Sequence, residues 1–163
     1  MGASGKTDKS VGRQVGPDTW VVGPRSRRYQ RLMPICVTTT ALNAIIAEAR
    51  RCHPCEACGL LLGHDDTVAS ALPTANIAPA PERHFEIDPA ALIAAHRTAR
   101  AGGPAVLGYF HSHPTGSARP SPTDAASAAH DGRVWAIVAG DTVALWRDTL
   151  SGFEPLSYDV VAG

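Results

Sequence analysis

The run Ala105-Val106-Leu107-Gly108-Tyr109-Phe110 is apolar throughout, opens behind Gly102-Gly103-Pro104 and closes on His111. So short an apolar segment reads as a central strand, which obliges the rest of the chain to supply neighbouring strands and covering helices. Cys58-Gly59-Leu60-Leu61-Leu62-Gly63 is a second buried run; Asp65-Asp66 marks a turn and Thr67 to Pro73 a hairpin partner. Further strands are expected at Val134 to Ala139, Thr142 to Trp146 and Leu156 to Val161, with a short alternating candidate at His84-Phe85-Glu86-Ile87. Helix signals lie between them. Thr38 to Thr40 offer caps for a helix through about Arg51, whose Leu42, Ile45, Ile46 and Ala49 form one apolar face before Pro54. Asp88 is a good N-cap with Pro89 at the first helical position, giving a helix over Ala90 to Ala101. A third helix opens at Ser121-Pro122-Thr123-Asp124 and runs to about His130. The fold class is therefore α/β, of the mixed α+β kind, with a single mixed sheet flanked by helices.

A chain of 163 residues, 44% hydrophobic and 18% charged, fits one domain with a sizeable core. Residues 1–33 carry Gly, Pro, Ser and Arg without sustained periodicity and read as a flexible basic N-terminal extension, leaving 34–163 as the folded domain. Fifteen basic residues balance fifteen acidic ones, so the net charge gives no footprint for nucleic acid or a membrane surface. The run Arg25-Ser26-Arg27-Arg28-Tyr29-Gln30-Arg31 is the local exception, and such runs are most often solvated. Without a secretory-type apolar core near Met1 or a spanning-length apolar stretch, a soluble cytoplasmic protein is the expectation.

His111 and His113 stand at i and i+2, so on an extended chain both imidazoles leave one face and can reach one ion. Asp124, in the first turn of the next helix, would complete a two-His-one-Asp set with a fourth tetrahedral position left for water. The competing explanation for Ser121-x-x-Asp124 is a helix capping box with Pro122 at the first helical position. Glu56 lies just ahead of the buried run Cys58 to Gly63, where a carboxylate is costly without a job, and it is the candidate base beside the metal; otherwise it is an exposed loop glutamate. His53, His64, His84, His96 and His130 read as structural or surface residues.

Cys52, Cys55 and Cys58 form a C-x-x-C-x-x-C run resembling part of a zinc or iron–sulfur site, with Cys36 or His53 as the only nearby fourth ligand. Small residues flanking a helix end and a buried strand explain the same spacing, and that reading is preferred.

Glu56-Ala57-Cys58-Gly59-Leu60-Leu61, His111-Ser112-His113-Pro114 and Ser121-Pro122-Thr123-Asp124 together closely resemble the JAMM, or MPN-plus, zinc metalloproteases in their short prokaryotic form. Asn76 and Phe85-Glu86-Ile87-Asp88 look like the stretch before the middle helix in such proteins. The resemblance runs from about Ile35 to the C-terminus and implies a cytidine-deaminase-like JAB/MPN architecture. It makes His111, His113 and Asp124 ligands of one Zn2+ per chain, Glu56 the general acid/base and Ser121 a stabiliser of the oxyanion. The activity it implies is that of a deubiquitinase-like isopeptidase, hydrolysing an amide bond after the C-terminal tail of a ubiquitin-like or sulfur-carrier β-grasp protein. Two alternatives stand beside it: a RadC-like protein of the same fold, and a non-catalytic metal-binding interaction module built on Cys52, Cys55 and Cys58.

Overall fold

The computed structural model describes residues 13–14, 20–21 and 34–163. The chain divides between Met33 and Pro34. The expected extension over residues 1–33, with its Arg-rich run, lies outside the described residues except for β1 (Arg13–Gln14) and β2 (Trp20–Val21), which pair antiparallel.

In the second unit the elements run β3 (Ile35–Thr38), α1 (Thr39–Cys52), β4 (Cys58–His64), β5 (Thr67–Thr74), α2 (Pro89–Arg100), β6 (Ala105–Ser112), α3 (Pro122–Ser127), β7 (Val134–Ala139), β8 (Thr142–Thr149), β9 (Gly152–Leu156) and β10 (Tyr158–Val161). The helices begin where their caps require. Thr38 Oγ1 accepts from Ala41 N–H at 3.1 Å, and Asp88 Oδ1 accepts from Ala90 N–H at 2.8 Å with Pro89 opening the helix. Eight strands form one mixed sheet in the order β10-β3-β5-β4-β6-β7-β8-β9, with β6 internal as its apolar composition demands. β6 is antiparallel to β4 and parallel to β7.

Register sets the two faces. Gly59 opposes Phe110 and Phe110 opposes Ala136; these side chains face α1, whose Ala41 and Ile45 join Leu61, Phe110, Ala136 and Val138 in the main core. Cys58 opposes His111 and Leu60 opposes Tyr109 on the other face, where Ala95 and Leu92 of α2 cover Leu60 and Val106. The sheet is thus packed on both faces, and His111 emerges on the α2 side.

Three expectations need correcting. His84 to Ile87 is not a strand: it makes only an isolated bridge, Asn76 to Ile87, because the Asn76 side chain takes the His84 carbonyl (3.2 Å) and the Glu86 N–H (3.1 Å) that a ladder would use. The third helix stops at Ser127 rather than near His130, since the His130 N–H and imidazole are captured by buried Asp148 at 2.7 and 3.1 Å and the residue sits at φ 55°. The single final strand is two strands broken at Ser157, β9 on β8 and β10 on β3.

Candidate active site

β6 carries His111 to its end, and His113 continues the ladder by donating its N–H to Val138 O at 2.7 Å. The capping box brings the third group in: Ser121 Oγ accepts from Asp124 N–H at 3.1 Å, and the Asp124 carboxylate accepts from Ser121 N–H at 2.7 Å. The capping box thus also aims the Asp124 carboxylate at the two imidazoles, so a capping role does not compete with that of a candidate ligand. His111 Nε2 and His113 Nε2 lie 3.0 Å apart, and each stands 3.2–3.3 Å from an Asp124 oxygen. Two ligands bound to zinc at tetrahedral geometry are separated by about 3.3 Å, so the three side chains already hold the spacing that a shared ion requires. All three are within 4.8 Å of one another and form the only such group of three or more among the described residues.

Burial pushes His111 down, keeping it neutral. His113 is raised, first by its hydrogen bond to Asp124; its Nδ1 donates to the Ser117 carbonyl at 2.8 Å, which orients the ring with Nε2 towards Asp124 and His111. Burial opposes ionisation of Asp124, yet hydrogen bonds from His111, His113 and Ser121 hold it well below the usual carboxylate range. His111 Nδ1 is buried without a hydrogen-bond partner among the described residues.

Glu56 is also buried, not the exposed loop glutamate that was its alternative. Its N–H donates to Pro81 O at 2.7 Å, and its carbonyl accepts from Asn76 Nδ2 at 3.0 Å. Burial pushes its carboxyl up to about 7, with His113 pulling it down and Asp124 pushing it further up. That interaction places the carboxyl within electrostatic reach of the ligand set.

Sequence reasoning singled out five residues here, and the structure brings His111, His113 and Asp124 into one cluster, Glu56 beside it and Ser121 beneath Asp124. It does not bring the cysteines into it. Cys52 bonds Glu48 at 3.4 Å and Cys58 is buried against Thr74 and Ala75, with both thiols raised by burial. What the residue reading missed is the aromatic surround. Phe85 stacks on His111 with centroids 4.4 Å apart, and Trp135 meets the same imidazole edge-on at 5.8 Å. The only sequence signal was Phe85 two places before Ile87 in the segment preceding α2.

A mixed sheet whose internal strand delivers two imidazoles to a capping-box carboxylate, with a protonatable buried carboxyl alongside, defines a chain with a His/His/Asp group that could hold a metal ion. The chain belongs to the prokaryotic homologs of the JAB domain, whose family model matches residues 38–149. It is 32% identical over 113 residues to a protein of Haloferax volcanii named Desampylase, covering 66% of this chain and 81% of that one. It is 36% identical over 84 residues to a probable TtuB-protein conjugate cleaving protease of Thermus thermophilus, covering 48% of this chain and 56% of that one. Among solved structures it is similar to a protein from Desulfitobacterium hafniense, with TM-score 0.72 and 29% identity over 79% of this chain and 94% of that one.

Proposed function

We propose that this chain is a zinc-dependent isopeptidase that hydrolyses the amide bond following the C-terminal tail of a ubiquitin-like or sulfur-carrier β-grasp protein. The observation that carries the reading is Glu56, a buried carboxyl pushed up to about 7, lying beside the converging His111, His113 and Asp124 donors. The relatives named for desampylation and for cleavage of a protein conjugate support the substrate class. Residues 34–163 would be the catalytic unit. A cytoplasmic setting fits four cysteines with no disulfide between them.

His111 and His113 would hold one zinc ion through Nε2, with Asp124 through its carboxylate. A zinc ion supplies Lewis acidity there, lowering the pKa of a coordinated water to about 7 and polarising the scissile carbonyl. A carboxyl that titrates near neutrality both takes and returns a proton, so Glu56 accepts one from the attacking water and delivers it to the leaving amine. Ser121, its oxygen already accepting from Asp124 N–H, turns its O–H donor to the developing oxyanion.

The test is a ubiquitin-like C-terminal fusion assayed alongside metal content. Glu56→Gln is expected to keep about one zinc per chain and to lose turnover by on the order of 100-fold or more, whereas His113→Ala loses the metal. Full turnover in Glu56→Gln, or metal that survives His113→Ala and departs from a Cys52/Cys55 double variant, refutes the assignment.

A further inference from the structure

We propose that Phe85 is a positioning residue for the metal ligand His111. The inference rests on the metal-centre reading above and extends it to a residue outside the ligand set. Imidazole ligands are ordinarily oriented through their second nitrogen, which donates to a carbonyl, carboxylate or water. His113 follows that pattern through Nδ1 and the Ser117 carbonyl. His111 does not: it is fully buried, and its Nδ1 has no hydrogen-bond partner among the described residues. Something else has to stop its ring turning Nε2 away from the ion.

Packing does so. The Phe85 ring lies over the His111 imidazole at 4.4 Å with an interplanar angle of 20°, while Trp135 meets it at 5.8 Å and 87°. One aromatic stacks on the ring and the other meets it at a right angle, which together restrain rotation where Nδ1 makes no polar bond. Phe85 is held in turn. Its ring meets Trp135 at 5.8 Å, and its two chain neighbours are pinned by Asn76, which accepts from Glu86 N–H and donates to His84 O. The same Asn76 amide also donates to Glu56 O. One side chain therefore ties the aromatic cover of the ligand to the backbone of the proposed base.

The experiment uses the full chain and two probes, Zn2+ measured by competition with a chromophoric chelator and Co2+ measured by its visible absorption. Phe85→Leu keeps apolar bulk but removes the ring; it is expected to bind zinc on the order of 10-fold more weakly and to shift the cobalt bands, with metal-free Tm near that of the wild type. Phe85→Tyr keeps the ring and is expected to retain wild-type affinity and spectrum. Phe153→Leu, which removes an aromatic that touches Trp135 but not His111, should leave both unchanged. Should Phe85→Leu not fold, Phe85→Met takes its place under the same readings. Wild-type zinc affinity together with an unshifted cobalt spectrum in the ring-less variant overturns the role of Phe85 alone. A wild-type protein that takes up no zinc removes the metal centre as well.

Discussion

Burying the Glu56 carboxyl gives the metal-free protein a cost that depends on pH. In the unfolded chain the group titrates at 4.5, and in the fold burial raises it to about 7. Between those values the native state holds a proton that the unfolded state has released. Stability therefore falls as pH rises from 4.5 towards 7 and levels off above that. Glutamine carries no charge to desolvate. Metal-free Glu56→Gln is accordingly expected to melt above the wild type, with a small advantage near pH 4.5 and the largest near pH 8. Melting curves at the two pH values decide it, and an advantage that does not grow with pH removes burial as the origin of the shift. Asp124 has the opposite sign: its folded value lies below its ordinary one, so its contribution is present at neutral pH and is lost as the solution is made acid. Asp124→Asn is expected to abolish zinc uptake while retaining α3, because asparagine can still accept the Ser121 N–H that closes the capping box. Loss of the metal-free fold in Asp124→Asn would show that the charge, rather than the cap, holds α3 in place.

At the scale of the elements, β4 meets β5 and β6 so closely that neither Gly59 nor Gly63 has room for a side chain. A Cβ at Gly59 would collide with the Leu72 carbonyl oxygen and with the Phe110 ring that lies across from it. Gly59→Ala is expected to destabilise the domain by about 1–3 kcal/mol, read as a lower denaturant midpoint at unchanged slope. A neutral result would mean that β4 and β6 can separate at little cost. Elements whose instructions are local were legible in the sequence. Thr38 and Asp88 cap α1 and α2, and the His-x-His spacing at the end of β6 puts two imidazoles on one face of the strand. Glu56 was legible because a charge at the mouth of an apolar run is costly. The misread segments depend on side chains outside themselves. Residues 84–87 lose their ladder to the side chain of Asn76, and α3 is cut short by Asp148, 18 positions beyond His130. Phe85 over His111 was hidden for the same reason, since stacking between residues 26 positions apart leaves no local pattern.

At the largest scale, the break at Ser157 shapes the whole unit formed by residues 34–163. β9 ends the strand order at one side and β10 at the other, yet a single residue joins them, so the sheet must curl until its two ends meet around α1. Such closure leaves little open edge for pairing with other chains. It also explains why the site can sit on an internal strand: β4 and β6, which pair at His111, are the two strands farthest from the seam. Tyr158, the first residue of β10, reaches over the seam and donates its hydroxyl to Val143 O of β8 at 3.1 Å. Removing that donor in Tyr158→Phe leaves the ring in the core and one carbonyl short of a partner. The expected loss is about 1 kcal/mol, or roughly 3 °C in Tm for a domain of this size. Because the seam and the ligand cluster lie on different strands, zinc affinity should be unaltered. Thermal melting with parallel zinc titration separates the two quantities. A variant that melts lower but binds zinc as before supports a seam that stabilises the sheet without shaping the site. If zinc binding weakens along with Tm, closure of the sheet and convergence of the three ligands are one cooperative event.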